Sequence, residues 1–359
     1  MINSVSKDVS AKFANMWFVC ACLVVFIHVG VECADGTFGW WLQQMFTHVG
    51  VTRIAVPFFF YMAGYFLAGR MCAEPGWYKK ALTKRCVTLL VPYFLWNGIY
   101  LGYMTLMAFA STRFGYQIHI PIPACSNVIG LVKALGLNPL APSAHSHLWF
   151  IRCLFLFVLL APVAKFAVKY INSPWVILAL YFLIGLPMSC LVEGSYAYWF
   201  FNRSLSPEGL VYFYVGIMLR LMPNANRPIK RLGALSLVAG CLIFLIRVYL
   251  LVELNNSIVD HLLTWIATPL TMFGVWTFMP TKPLWSNVRS YSFPIYVLHQ
   301  FVLVAMAGMF GMIGLREVVN HSIGLYFVRG GLAIVLCVAV VAVVRRFLPK
   351  FTSLAFGGR

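Results

Sequence analysis

Apolar residues in this chain run in long unbroken stretches, not in the alternation of a strand or the narrow stripe of a surface helix. The stretches cover 13–31, 48–69, 86–110, 147–164, 174–192, 208–222, 232–252, 261–279, 291–313 and 325–347. Most have the roughly 17–25 residues a helix needs to cross a bilayer, and 208–222 is the shortest. Lipid offers the backbone no hydrogen-bond partner, so each span is predicted to be helical. An outer-membrane barrel would instead read as alternating segments of ~10 residues. The predicted fold class is all-α: a polytopic integral membrane protein of about ten transmembrane helices, forming a single transmembrane domain over 1–359.

The polar connections sort by charge. One alternate set carries Lys7 and Lys12; Arg70, Lys79, Lys80, Lys84 and Arg85; Lys165 and Lys169; Arg220, Arg227, Lys230 and Arg231; Lys282 and Arg289; and Arg345, Arg346, Lys350 and Arg359. The other set holds Arg113, Lys133, Arg203 and Arg316. Basic residues mark cytoplasmic loops, so both termini are predicted cytoplasmic, with the protein in the cell inner (plasma) membrane. Lys7 and Lys12 precede an apolar stretch too long for a signal-peptide core, so it is read as a first span that stays in place. The longest outer loop, about 111–146, is rich in Pro and Ser and is a candidate lid.

Composition agrees with a lipid-facing surface. Of 359 residues, 62% are hydrophobic and 10% charged, against about 45–50% and about 25% in soluble domains. The net charge of +18 lies between apolar runs, which argues for membrane topology and against nucleic acid as a partner. Most of the ten cysteines fall inside apolar runs and read as small packing residues. A bridge among Cys33, Cys125 and Cys190 stays open.

Several ionisable residues interrupt the spans. His28 lies about a turn from the outer end of the first. Either its imidazole takes a proton from an alcohol, or it is an interfacial histidine bonded to a backbone carbonyl. Arg53, in V-T-R-I-A-V-P-F-F-F-Y-M-A-G-Y, cannot shed its charge and needs a carboxylate, carbonyls, an anionic ligand or a route to the surface. Glu208 and Asp260 are among the outer-face acids available to it. His147 and Arg152 enter the fourth span in H-S-H-L-W-F-I-R, and Tyr296 and His299 occupy the ninth in I-Y-V-L-H. His145 and His147 are two residues apart with no acid nearby, so no metal site is predicted. Lys84 and Arg85 adjoin the third span and suit nucleotide-like phosphates, although plain topology accounts for most of that basic loop.

Taken together and in order, V-V-F-I-H, R-I-A-V-P-F-F-F-Y-M-A-G-Y, K-R-C-V-T-L-L-V-P-Y-F-L-W, H-L-W-F-I-R and I-Y-V-L-H resemble the acyltransferase-3 family of membrane O-acyltransferases. The resemblance implies transfer of an acyl group, often acetyl, from cytoplasmic acyl-CoA to a hydroxyl of an envelope glycan or lipid-linked sugar. It implies that His28 is the catalytic histidine, that Arg53 and Arg85 match family arginines, and that no metal takes part. Two positions depart from the family pattern: Trp17, where Arg or Lys often stands eleven residues before the histidine, and Thr88, where many members carry a second arginine.

The enzyme expected on this basis uses His28 as base, with Arg53 and Arg152 beside the developing oxyanion. Arg85 and Lys84 would bind the acyl-CoA, and His147, Tyr296 and His299 would line the acceptor. Membrane lipids surround it. The alternative is a transporter or flippase of an anionic glycan or lipid intermediate, for which embedded arginines and a kinked helix would also serve; it predicts inverted repeats, and the sequence shows none.

Overall fold

The computed structural model describes residues 5–30, 33, 37–47, 49–71, 75–114, 128–171, 173–185, 187, 195–221, 229–253 and 257–358. Cys125, Cys190 and most of the candidate lid lie outside them; Cys33 is a free thiol. The described secondary structure is helical throughout. In chain order it comprises α1 Lys7–His28, α2 Phe38–Phe46, a 3₁₀ turn Val51–Ile54, α3 Ala55–Met71, α4 Trp77–Arg85, a π-helical turn Cys86–Leu90, α5 Val91–Phe114 and α6 Val128–Ala134. A 3₁₀ turn Ser146–Leu148 leads into α7 Trp149–Leu159, α8 Ala161–Ala167, α9 Pro174–Leu180 and a second π turn, Tyr181–Gly185. Next come α10 Tyr196–Tyr198, a third π turn Trp199–Ser204, α11 Pro207–Leu221, α12 Lys230–Glu253, α13 Ser257–Phe278, α14 Val288–Met312, α15 Arg316–Asn320, α16 Ile323–Phe347 and α17 Pro349–Ala355.

Local chemistry sets several helix starts. The Ser6, Thr37 and Ser322 hydroxyls accept from the backbone N–H of Val9, Trp40 and Leu325, satisfying donors that the first helical turn leaves open. Among the described residues, seven helical runs are long and apolar enough to cross a bilayer, or eight if a broken helix counts as one. That helix is the 147–164 run, where Ser146–Leu159 and Ala161–Ala167 meet at 58°. Pro162 lacks the N–H a continuous helix would use and clashes with the preceding turn. The 48–69 run divides between the Val51–Ile54 turn and α3. The 174–192 run passes from α9 into a π turn, and most of its remainder lies outside the described residues.

Long apolar stripes face outward. On α12, Leu235, Val238, Leu242, Leu245 and Tyr249 are exposed, while Phe244 and Val248 on the opposite side are fully buried against the bundle. Val328, Leu332, Val335 and Val343 make a similar stripe on α16. Such a surface would aggregate in water and is stable in lipid. The protein is a multi-pass membrane protein.

Inside the bundle, α1 packs on α14 and α3, α3 on α11, α12 on α13, and α14 on α16. The α3–α11 contact depends on glycine. A Cβ on Gly64 would lie 1.9 Å from the Phe213 carbonyl oxygen, and one on Gly216 would lie 2.1 Å from that of Tyr61. Helices in lipid gain from such close backbone approach. Gly64→Ala should force the pair apart and destabilise the protein by about 1–3 kcal/mol, read as a lower thermal midpoint in detergent; an unchanged midpoint would contradict this packing.

Polar contacts bring both ends of the described chain to one face. The Lys12 ammonium donates to the carbonyls of Trp276 and Thr277. Asn15 bonds the backbone of Pro280, Lys282 and Leu284. From the other end, Arg345 donates to Ser290. The start of α1, the 279–287 connection and the end of α16 therefore share a level, and His28 lies at the far end of α1.

Candidate active site

At that far end the helices gather four histidines. His28 is the last residue of α1, His299 lies mid-way along α14, and His147 comes from the 3₁₀ turn before α7. The His28 ring centroid is 4.1 Å from that of His147 and 5.0 Å from that of His299; His147 and His299 are 5.8 Å apart. His299 is fully buried.

The hydrogen bonds fix the proton positions. His299 Nδ1 is 2.7 Å from the Tyr296 carbonyl, an acceptor, so Nδ1 carries the hydrogen and Nε2 the lone pair. That Nε2 lies 3.2 Å from His28 Nδ1, which is also 2.8 Å from the Val24 carbonyl. Both neighbours accept, so His28 Nδ1–H is shared between them. His28 Nε2 is then the basic nitrogen. A histidine oriented through its other ring nitrogen is the usual form of a catalytic base.

His147 has the complementary arrangement. The Gln300 amide nitrogen lies 3.1 Å from His147 Nε2, which makes Nε2 an acceptor and places the hydrogen on Nδ1. His147 Nδ1 is buried and has no partner. A buried donor left unpaired costs about 1–3 kcal/mol, so this N–H is held ready for an acceptor. The Tyr296 hydroxyl donates to the His147 carbonyl and pins the turn.

His145 buttresses this turn. It is fully buried and stacks on Tyr100 with ring centroids 4.4 Å apart. Its Nε2 donates to the Val297 carbonyl and its backbone N–H to Asn97. Asn97 in turn donates to the Tyr93 carbonyl. Arg152 holds the approach to the turn, donating to the carbonyls of Asn138, Ala141 and Arg203.

The remaining embedded arginines have partners. Arg53 pairs with Glu208 at 2.7 Å. Arg247 makes two bonds to Asp260 and a third to the Val49 carbonyl. Arg329 donates to the Gly30 carbonyl and to Asn320.

A cationic platform marks the opposite level of the bundle. The Arg289 guanidinium lies 3.9 Å from the Trp17 ring centroid and also reaches Phe66. Arg220 lies over Tyr65 at 5.3 Å. Arg70 and Arg289 are both close enough to Arg85 to repel it. Beside them an open depression of about 540 Å³ is lined by Lys79, Lys80, Thr83, Lys84, Val87 and Thr88. Arg85 leads into the π turn at Cys86–Leu90, a feature frequent at functional sites.

Of the residues singled out in the sequence, His28, His147, Tyr296 and His299 come together. Arg53 and Arg152 lie toward the same end but bond to Glu208 and to loop carbonyls. Lys84 and Arg85 are at the other level. Gln300, Asn97 and the buttressing role of His145 were missed; the first two signalled themselves only as amides inside apolar runs. Arg289 was read as topology alone. Among the described residues no group of three or more His, Cys, Asp or Glu is arranged to hold a metal ion.

Comparison with known proteins places this geometry. The family model for the acyltransferase domain matches residues 16–344. The chain is 24% identical over 369 residues to the succinoglycan biosynthesis protein ExoH of Rhizobium meliloti (strain 1021), covering 98% of this chain and 93% of that protein. No solved structure gives a significant match. The family match takes in α1 with its histidine, the arginine platform and nearly all of α16, and on that extent the chain belongs to the acyltransferase-3 family of membrane acyltransferases.

Proposed function

We propose that the protein transfers an acyl group, acetyl foremost, from cytoplasmic acyl-CoA to a hydroxyl of an envelope glycan or lipid-linked sugar, working in the inner membrane with both termini cytoplasmic and about ten spans. The observation that carries this reading is a pairing on α1 and α14. The two helices run side by side, with Trp17 against Arg289 at one level and His28 against His299 at the other. Ten or eleven residues separate the levels, about 15–16 Å at 1.5 Å per residue. An extended pantetheine arm has a comparable reach. Phosphates held by Arg289, Arg85 and neighbouring cations would place the thioester beside His28. The name of the relative ExoH concerns succinoglycan biosynthesis, which supports a glycan acceptor.

In this reading His28 Nε2 takes the proton from the acceptor hydroxyl as its oxygen attacks the thioester carbonyl. The His147 Nδ1–H stabilises the negative charge that develops on the carbonyl oxygen. The carbon–sulfur bond then breaks, and the coenzyme thiolate recovers the proton from His28, giving an ester and a free thiol. Arg152 keeps the His145–His147 turn in place, and Arg53 acts through its pair with Glu208.

The test is thiol release from acetyl-CoA by purified protein in nanodiscs, with and without glycan acceptors. Acceptor-dependent release with ester formation is expected. Absence of turnover with acetyl-, succinyl- and longer acyl-CoA donors would instead favour transport of an anionic glycan or lipid.

A further inference from the structure

The Arg53–Glu208 pair is surrounded by polar atoms that have no partner. Arg53 Nε, Glu208 Oε1, Tyr181 Oη and Tyr212 Oη are all buried without a hydrogen bond. Tyr181 and Tyr212 are only 3% and 6% exposed, and both act electrostatically on the ion pair. Their rings are 6.0 Å apart. An unpaired buried polar group costs about 1–3 kcal/mol, and four around one ion pair are more than a purely structural cluster explains. The pair itself stays partly open, with side-chain exposures of 36% and 19%, so a ligand can reach it.

These atoms form a specific set. Arg53 Nε–H only donates and Glu208 Oε1 only accepts, while each phenol does either. Neighbouring hydroxyls of a sugar, each donor and acceptor at once, satisfy such a set; a phosphate would leave Glu208 opposed, and a lipid tail would leave all four atoms unpaired. Tyr181 also stacks on Trp265, with ring centroids 4.2 Å apart at 28°, adding an aromatic wall of the kind that packs on a pyranose face. Tyr181 opens the π turn Tyr181–Gly185. The Val51–Ile54 turn that carries Arg53 packs directly on α1, and helices in contact are about 8–10 Å apart. The cluster is therefore close to the helix that ends in His28.

We propose that Arg53, Glu208, Tyr181 and Tyr212 form the acceptor subsite, binding a vicinal diol of a hexopyranose while another hydroxyl of the glycan is presented to His28. This rests on the glycan-acceptor reading above. The test uses full-length protein in phospholipid nanodiscs, free of glycoside detergent, titrated with methyl β-D-glucopyranoside and methyl β-D-galactopyranoside and followed by saturation-transfer NMR. Wild type is expected to bind at least one of them saturably. The double variant Tyr181→Phe/Tyr212→Phe should bind it at least tenfold more weakly, with an unchanged thermal midpoint and unchanged sugar-independent hydrolysis of acetyl-CoA. No saturable binding by wild type, undiminished binding by the double variant, or a drop in its midpoint that marks a structural water network would each overturn the proposal. Sugar binding by a protein that turns over no acyl-CoA would preserve this subsite and remove the transferase reading instead.

Discussion

Replacing His28 by alanine is expected to lower acyl transfer by ~10²–10⁴-fold, the usual contribution of a positioned general base. The loss should fall on kcat. The KM for acyl-CoA should stay within about twofold, because the phosphate platform at Trp17 and Arg289 lies about 15–16 Å away along α1 and α14. Steady-state kinetics on purified protein separate the two constants. The His28→Ala variant should also fold, since the side chain ends a helix whose core contacts, among them Phe13, Met16, Cys20 and Val24, are untouched. Transfer at the normal rate would show that the imidazole takes no part in the chemistry.

The double variant Arg85→Gln/Arg289→Gln should behave in the opposite sense. Each charge-assisted hydrogen bond to phosphate is worth about 1.5–3 kcal/mol, and 1.4 kcal/mol is a factor of ten. The KM for acyl-CoA should therefore rise by about 10–100-fold or more, with kcat at saturation largely kept. The wild-type KM should increase with ionic strength, and the variant's should do so less, because salt screens exposed charges. Unchanged KM in the variant would place the coenzyme elsewhere.

The sequence made some of this architecture plain and concealed the rest for physical reasons. Continuous apolar runs such as 232–252, 291–313 and 325–347 became α12, α14 and α16 because lipid demands internally bonded backbone on this scale. The breaks were harder to read. The bend between Leu159 and Ala161 and the π turn at Tyr181–Gly185 depend on what packs around them, although Pro162 marked the first. His28, His147, Tyr296 and His299 were legible because ionisable or hydroxylated side chains inside apolar runs are costly and stand out. Their support was not legible. That Asn97 would take the His145 N–H and Gln300 would fix the His147 tautomer depends on contacts between segments 48 and 153 residues apart.

Trp17 illustrates the difference between a position and its surroundings. In the sequence it is a departure from the family pattern, an aromatic residue where a cation often stands. In the fold, α14 delivers Arg289 onto its face, so a guanidinium occupies that level of the bundle from another helix. Similarly, Arg53 and Arg152 looked equivalent as embedded charges. Glu208 claims one, and the carbonyls of Asn138, Ala141 and Arg203 claim the other.

The most direct test of the account is sidedness. Acyl-CoA does not cross bilayers, so donor added to sealed inside-out membrane vesicles reaches only the face carrying Lys79, Lys80, Lys84 and Arg85. The account predicts that labelled acetyl-CoA added to these vesicles yields acetylated glycan, and that sealed right-side-out vesicles yield none until they are permeabilised. Equal labelling of intact right-side-out vesicles would show that the donor reaches His28 from the outer face and would contradict it.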